Sequence, residues 1–300
     1  MNKLPISVVI LTFNEEKNIE ECLKSVHDWA DEIFVVDSYS TDKTLEIAKK
    51  YTDKIYQHPF VDYAKQRNWA FANLPIKNEW ILNLDADHRI DESLKKMIIK
   101  IFSQPIDKNL NGFLITRKTI FMDKWIKFGG HYPVYHAVLF RKGFGKCEER
   151  LYDQHFVVNG KLEILKGDIV DVISDSLNKF IERHNKWATL EAIEHISGKG
   201  GGIKANWVAS KISQRRAMRN FYYKFPLFLR AYLYFIYRYF FKLGFLDGKE
   251  GLIFHFLQGF WYRFLVDAKI YEIEKRAKKE QRSIKEIVDE LLSATRPNKP

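Results

Sequence analysis

Apolar residues fall along the first half of the chain in short runs separated by amphipathic stretches. Ile6-Ser-Val-Val-Ile-Leu-Thr12 and Glu32-Ile-Phe-Val-Val-Asp37 have the length and continuity of buried strands. Between them Ile19, Leu23, Val26 and Ala30 recur at helical spacing, with Asn14 as the expected N-cap and Glu15 and Glu16 in the positive first turn. Ser40-Thr-Asp-Lys-Thr44 starts a second helix, Lys54-Ile-Tyr-Gln57 is a third strand, and Asp62 to Asn73 is a further amphipathic helix. Trp80 to Leu84 is then an apolar run broken only by Asn83. Strands alternating with helices predict an α/β fold with a doubly wound, mostly parallel sheet.

The Trp80–Leu84 strand ends in two carboxylates one residue apart, Asp85 and Asp87. In open α/β sheets ligands bind beyond the carboxyl ends of the strands. Side chains two apart in extended backbone point the same way, so the pair can share a divalent ion, and oxygen ligands suit Mg²⁺ or Mn²⁺. The plain alternative is a strand-to-helix turn, with Asp91 or Ser93 capping the next helix. The first loop, Thr12-Phe-Asn-Glu-Glu16, lacks the glycines that let a backbone approach a pyrophosphate, so the diphosphate of a nucleotide belongs at Asp85/Asp87 instead.

Leu11-Thr-Phe-Asn-Glu-Glu16, Val35-Val-Asp-Ser-Tyr-Ser-Thr-Asp-Lys-Thr44 and Leu84-Asp-Ala-Asp87 resemble, in order, spacing and strand context, the three signatures of family 2 glycosyltransferases with the Rossmann-like GT-A fold. The resemblance covers about the first 90 residues and leans towards the lipopolysaccharide core glucosyltransferases; Gln66-Arg-Asn-Trp-Ala-Phe-Ala and Leu246-Asp-Gly fit that subgroup more loosely. It implies that the loop carrying Thr12, Asn14, Glu15 and Glu16, together with Asp37, cradles the uracil and ribose of a nucleotide sugar, a UDP-hexose. It implies that Asp85-Ala86-Asp87 is the metal-binding motif. Lys65 and Arg67 are either further grips on the diphosphate or plain helix-surface charge.

After a strand at Asn111–Arg117, the loop Trp125-Ile-Lys-Phe-Gly-Gly-His-Tyr-Pro133 is either a lining for the sugar acceptor or a surface loop packed on its own aromatics. Val138–Arg141 is a short strand. An inverting transferase needs a carboxylate to take the acceptor's proton. Family members place an acid near Cys147-Glu-Glu-Arg-Leu-Tyr-Asp-Gln-His155, which makes Glu149 the expected base, Glu148 its rival, and Asp153 and His155 the reserves. Relatives often complete the metal site with a His on the following strand; Asp171 stands there, with Asp168 nearby, and either replaces it or leaves the third ligand absent. His88 likewise departs from the acid that often follows the motif.

Asp175 or Ser176 caps a long helix running to about Ile196, and Gly198 and Gly200–Gly202 mark the expected boundary between a catalytic domain, 1–197, and a helical C-terminal region, 198–300. Lys275 to Leu292 reads as one charged, exposed helix. Charge then changes the picture. The formal net charge is +11, and the stretch from His195 to Leu246 holds ten Lys or Arg and no Asp or Glu, interleaved with many Phe and Tyr. Such a basic, aromatic stretch predicts an anionic membrane surface as partner, with the arginines of Arg215-Arg-Ala-Met-Arg219 among its anchors, or else a helical cap packed on the catalytic domain. With no signal peptide and no apolar run of about 18 residues, the expected location is cytoplasmic, peripheral on the inner face of the membrane, beside a glycan or lipid-linked acceptor. The two cysteines, Cys22 and Cys147, fit a reducing compartment.

Two rivals are weighed. A haloacid-dehalogenase-like phosphatase also places Asp-x-Asp after a strand, but on its first strand, whereas here it lies on the fourth with Arg89 following. A membrane- or nucleic-acid-binding module without catalysis would rest on the basic third alone; the ordered acids of the N-terminal half oppose a polyanion, and no nucleic-acid partner is expected.

Overall fold

The computed structural model describes residues 3–173, 176–198 and 211–295. Asp175 and the Gly200–Gly202 break lie outside the described residues. The contacts divide the chain into two compact units. One holds the chain up to Trp125, Tyr132–Glu148, and the chain from His155 through the last strand. The second holds Ile126–His131, Glu149–Gln154 and everything from the long helix onward. The division therefore falls before the long helix and not after residue 197. That helix packs its small residues Ala188 and Ala192 against another helix of the C-terminal region.

The first unit is the predicted α/β layer. Its strands are β1 (Leu4–Thr12), β2 (Ala30–Asp37), β3 (Ile55–Gln57), β4 (Trp80–Asp85), β5 (His88–Ile90), β6 (Leu110–Phe121), β7 (Lys124–Trp125), β8 (Tyr135–Arg141), β9 (Gly145–Cys147), β10 (Phe156–Val158) and β11 (Lys161–Ile173). The main sheet runs β3-β2-β1-β4-β8-β6-β11-β5, with β7 beside β6, and β9 pairs separately with β10. The β3-β2-β1-β4 half is wholly parallel. Beyond it β8 runs antiparallel to both β4 and β6, while β6 and β11 are parallel. The buried runs of β1, β2 and β4 explain their central place, since such strands must be covered on both faces.

Helices α1 (Ile19–His27), α2 (Thr44–Ala48), α3 (Tyr63–Asn73) and α4 (Glu92–Phe102) flank the sheet. Asp62 caps α3 by accepting from Lys65 N–H, and Asp91 caps α4 by accepting from Leu94 N–H. Asn14 is not the cap of α1. It adopts a left-handed conformation, φ 54°, and Asn18 takes the cap position. Small polar residues tolerate that conformation, and here it turns the Asn14 side chain towards the next loop.

The second unit consists of α5 (Leu177–Ser197), capped by Ser176, then α6 (Lys211–Tyr222), α7 (Leu229–Ile236), α8 (Gly248–His255), α9 (Tyr262–Glu280) and α10 (Ile284–Thr295). A π-helical turn, Tyr237–Phe241, continues α7, and another, Phe256–Trp261, joins α8 to α9. The expected single helix from Lys275 to Leu292 is broken at Gln281, which is left-handed at φ 50° and ends α9. Ala188, Ala192 and Ile193 of α5 pack on Tyr262, Val266, Ile270 and Ile273 of α9, with Ile287 and Val288 of α10 closing the cluster.

This apolar cluster borders an ionic core. Glu191 is fully buried and accepts from Tyr223 Oη (2.7 Å), Tyr262 Oη (2.6 Å) and Arg263 (2.8 Å), with Arg219 at 3.3 Å. Burial alone would raise its carboxyl, but Arg263, Arg219 and the two hydroxyls hold it below the ordinary carboxylate value. Glu191→Ala should cost about 3–5 kcal/mol, because Arg219 and Arg263 lose the carboxylate that neutralises them. Denaturant unfolding checks this. The sign also follows: a depressed carboxyl stabilises above its unfolded value, and the contribution fades as acid protonates it.

Candidate active site

The carboxyl ends of β1, β2 and β4 lie side by side, because Thr12 pairs with Asp37 and Leu11 with Asp85 in adjacent parallel ladders. Two loops leave this edge and zip together. Asn14 N–H donates to Ser40 Oγ, and Asn14 Oδ1 accepts from Thr41 N–H at 2.8 Å. Glu15 N–H donates to Thr44 Oγ1, Glu16 N–H to Asp42, and the Glu16 carboxylate accepts from Lys43 N–H. Glu15 also accepts from the Asn18 amide. Asp37 is fully buried beneath this seam, accepting from Ser40 N–H, Ser40 Oγ and the Gln57 amide. The polar residues of both motifs thus build a shelf whose rigidity comes from side-chain to backbone bonds. Thr12 Oγ1 is buried without a hydrogen-bond partner. Two side chains stand out from the shelf, Phe13 (56% exposed) and Tyr39 (50% exposed). The sequence reading passed over both. The available signal was a large aromatic in each otherwise polar loop.

Asp85 ends β4, Ala86 is buried with its N–H on Leu11 C=O, and Asp87 precedes β5. Asp85, Asp87 and His88 bring ligand-type atoms within 4.8 Å of one another. Asp85 is held firmly: Arg67 donates to its Oδ1 at 2.5 Å, and Tyr63 Oη lies 3.4 Å from Oδ2. Arg67 is itself fully buried and also donates to Val9 C=O, Leu84 C=O and Tyr63 Oη. It is therefore not the helix-surface charge that the sequence allowed, and it fixes the Asp85 carboxylate. Lys65 is exposed and pairs with Asp62 at 3.1 Å.

Asp171 does not join the group. It pairs with Arg117 at 3.7 Å, and in the β11–β5 ladder it lies opposite His88. Asp168 accepts from Thr116 Oγ1 and Tyr132 Oη. His88 takes the third position instead. Burial keeps its imidazole below the ordinary value despite the nearby Asp85 and Asp171. Its Nδ1 accepts the Asp85 N–H, so the neutral ring carries its proton on Nε2, 3.8 Å from Asp85 and 3.9 Å from Asp87. In this tautomer the ring donates towards the carboxylates, and lone pairs for a cation come from the two acids. Two adjacent carboxylates with a supporting donor fit a hard divalent ion. Arg117 was missed from the sequence. Burial raises the Asp85 carboxyl, but Arg67, His88 and then Arg117 outweigh it and hold it below the ordinary value.

The three candidate bases differ in surroundings. Glu148 is buried, and its Oε1 accepts from His155 N–H at 3.0 Å. Asp153 pairs with Arg216 at 3.3 Å and Arg219 at 3.2 Å within the helical unit. Glu149, in the same unit, is exposed. The ring of His155 stacks on His136, to which Arg117 donates. The loop Ile126–His131 belongs to the helical unit. Asp247 accepts from Lys127 and Phe128 N–H, and Arg238 donates to Gly129 C=O. The Leu246-Asp-Gly motif thus holds this loop. Cys22 and Cys147 are buried free thiols, and burial pushes Cys147 up to about 12.

A polar shelf beside an acidic pair at the carboxyl edge of such a sheet lies where open α/β folds bind their ligands. Residues 7–143 match the family described as Glycosyl transferase family 2. An uncharacterized glycosyltransferase of Rickettsia bellii is 32% identical over 289 residues, spanning 93% of this chain and 90% of that protein. The chain belongs to the family 2 glycosyltransferases, and its sheet is the GT-A fold. It is also similar to the lipopolysaccharide core biosynthesis glycosyltransferase LpsC of Rhizobium meliloti, 27% identical across 90% of this chain and 93% of that one. Among solved structures, a mannosyltransferase from Pyrobaculum calidifontis in complex with GDP-Man and Mn²⁺ aligns over 90% of this chain and 88% of its own, with 14% identity and a TM-score of 0.47.

Proposed function

We propose that this glycosyltransferase moves a hexose, with inversion, from a UDP-sugar to a membrane-bound glycan or glycolipid of the lipopolysaccharide-core type. The observation that carries the reading is the zipped shelf of Thr12–Glu16 and Ser38–Thr44, built at the same sheet edge as Asp85 and Asp87. Phe13 or Tyr39 supplies a face for the uracil. The similarity to LpsC supports the acceptor class.

Asp85 and Asp87 would hold Mg²⁺ or Mn²⁺, which when bound supplies positive charge to the leaving diphosphate. Arg67, Tyr63 and His88 orient those acids. Glu149 takes the proton from the acceptor hydroxyl as its oxygen attacks the anomeric carbon. The bond from that carbon to the diphosphate oxygen breaks, and the nucleoside diphosphate leaves. The site is placed on the inner face of the membrane, where nucleotide sugars and lipid-linked acceptors meet. No helix of the described residues is long and apolar enough to cross the membrane.

The nucleic-acid alternative loses support from the arginines. Arg216, Arg219, Arg230 and Arg238 bond to Asp153, Glu191, Asp267 and Gly129 C=O within the helical unit. A screen of nucleotide-sugar hydrolysis with and without Mn²⁺ tests the function. One UDP-hexose should be cleaved fastest, with the rate lost in excess EDTA. Equal, metal-independent rates across all donors would remove the donor and metal assignments together.

A further inference from the structure

Helix α7 is built inside out. Leu229, Tyr232, Leu233 and Ile236 recur at three- and four-residue spacing, and Phe240 and Phe241 extend the same face along the π-helical turn. All six are exposed, Phe241 to 75%. The buried face holds Arg230 and Arg238. Around α8 the same pattern recurs in part, with Leu252, Ile253 and Phe256 exposed while Asp247, Phe254 and His255 are buried. Arg230 pairs with Asp267 of α9 at 2.5 Å, and the His255 ring, which burial lowers to about 4, lies 3.2 Å from Asp247. A helix in water turns its charges outward. Helix α7 with its π-helical turn puts Arg230 and Arg238 inward and presents its hydrocarbon.

Most of the exposed large hydrophobic residues of the described chain fall between Met218 and Tyr271. Soluble proteins rarely expose so many large apolar residues over so short a stretch of chain. Its border is basic: Lys224, Lys242 and Lys249 are exposed, and the sequence from His195 to Leu246 has no acid. Lys242 Nζ sits 5.5 Å over the Tyr237 ring. Tyrosines and lysines around an apolar stripe match the boundary between acyl chains and phosphate headgroups.

We propose that α7 with its π-helical turn and α8 insert their outward faces into one leaflet of a phospholipid bilayer, with Lys224, Lys242 and Lys249 at headgroup level. This deepens the membrane location proposed above and changes its physical basis. Of the arginines expected to bind anionic lipid, Arg216 and Arg219 face inward and only Arg215 is exposed, so insertion of hydrocarbon dominates and binding resists salt. It also brings the Ile126–His131 loop to the membrane. Gly129 N–H donates to Lys242 C=O at 2.8 Å, directly after Phe241, so the loop rides at the end of the inserted stripe. A lipid-linked acceptor would present its sugar at that level.

Flotation of the full chain with vesicles tests this without any sugar transfer, so it stands or falls apart from the donor and acceptor reading. The protein should float with neutral phosphatidylcholine vesicles, somewhat better with added phosphatidylglycerol, and should stay bound in high salt. Leu233→Glu with Phe240→Glu should lower partitioning at least about tenfold while leaving the unfolding midpoint unchanged, since both side chains are exposed. A fluorophore on Phe241→Cys should be quenched by lipids brominated on the acyl chain; the chain's own cysteines are buried. Binding only to anionic vesicles and lost in salt would overturn the proposal, as would no binding at all. So would a lipid-free dimer that shields the label and is broken by the Glu pair, which would make the stripe an interface between two copies.

Discussion

Asp87→Ala is expected to abolish most transfer, by about 10³-fold or more in kcat, while the protein keeps its unfolding midpoint. Of the two acids, Asp87 gives the cleaner test. Asp85 neutralises the buried Arg67, whose other partners are two backbone carbonyls and a tyrosine hydroxyl. Removing Asp85 therefore leaves a buried charge unpaired, and Asp85→Ala should lower stability as well as activity. The side chain of Asp87 is 26% exposed at the start of β5, with the His88 ring 3.9 Å away. If the ion rests on this acid, calorimetry should show that Mn²⁺ no longer tightens UDP binding to Asp87→Ala. Metal-free UDP affinity should change little, because the shelf around Asn14 and Ser40 is intact. Full activity in this variant, or in excess EDTA, would defeat the metal assignment.

The parts of this site that were legible in the sequence are those built by neighbours in the chain. Asp91 and Ser176, each one of two nearby candidates, cap their helices because a cap needs only the next three residues. The acidic pair at the end of β4 could be read for the same reason, since strand length and the turn residues fix it locally. Asn14 was misjudged because its left-handed backbone depends on a partner loop 26 residues on. The role of Asp171 depends on pairing between β11, β6 and β5, which no local pattern encodes. The same pairing sets Asp171 beside Arg117 and leaves His88 with the acids.

The basic third shows a different limit. A charge count reports how many cations a stretch holds, not which way they point. The ten Lys and Arg from His195 to Leu246 pointed to an anionic membrane surface as partner, with a packed helical cap as the alternative, and Arg216, Arg219, Arg230 and Arg238 are buried or nearly so among acids and carbonyls. The direction was present in the spacing. Arg230 and Arg238 fall on one helical face, with Leu229, Leu233, Phe240 and Phe241 on the other, and Asp267 lies further along to receive Arg230. A lone arginine in an otherwise aromatic helix, with an acid available later in the chain, is a candidate for the inside of a fold whose outside is hydrocarbon.

Glu149→Gln should lower kcat by about 10²-fold to 10⁴-fold without weakening donor binding, because a base acts on the acceptor and the amide cannot take its proton. The surroundings of the three acids separate them. Glu148 is buried in the hairpin end, bonded to His155 N–H while its own N–H donates to His155 C=O at 2.9 Å, so its carboxylate is occupied in holding the turn. Asp153 faces Arg216 and Arg219, and a carboxylate held between two guanidiniums is a poor proton acceptor. Glu149 is exposed. Glu148→Gln should therefore show mainly a lower unfolding midpoint, and Asp153→Asn a loosened α6 with much of the activity retained. Single-turnover transfer and UDP titration on all three variants measure these quantities side by side. If Glu149→Gln turns over normally while Asp153→Asn or Glu148→Gln loses the chemical step, the base is that residue, and the exposure of Glu149 has some other use.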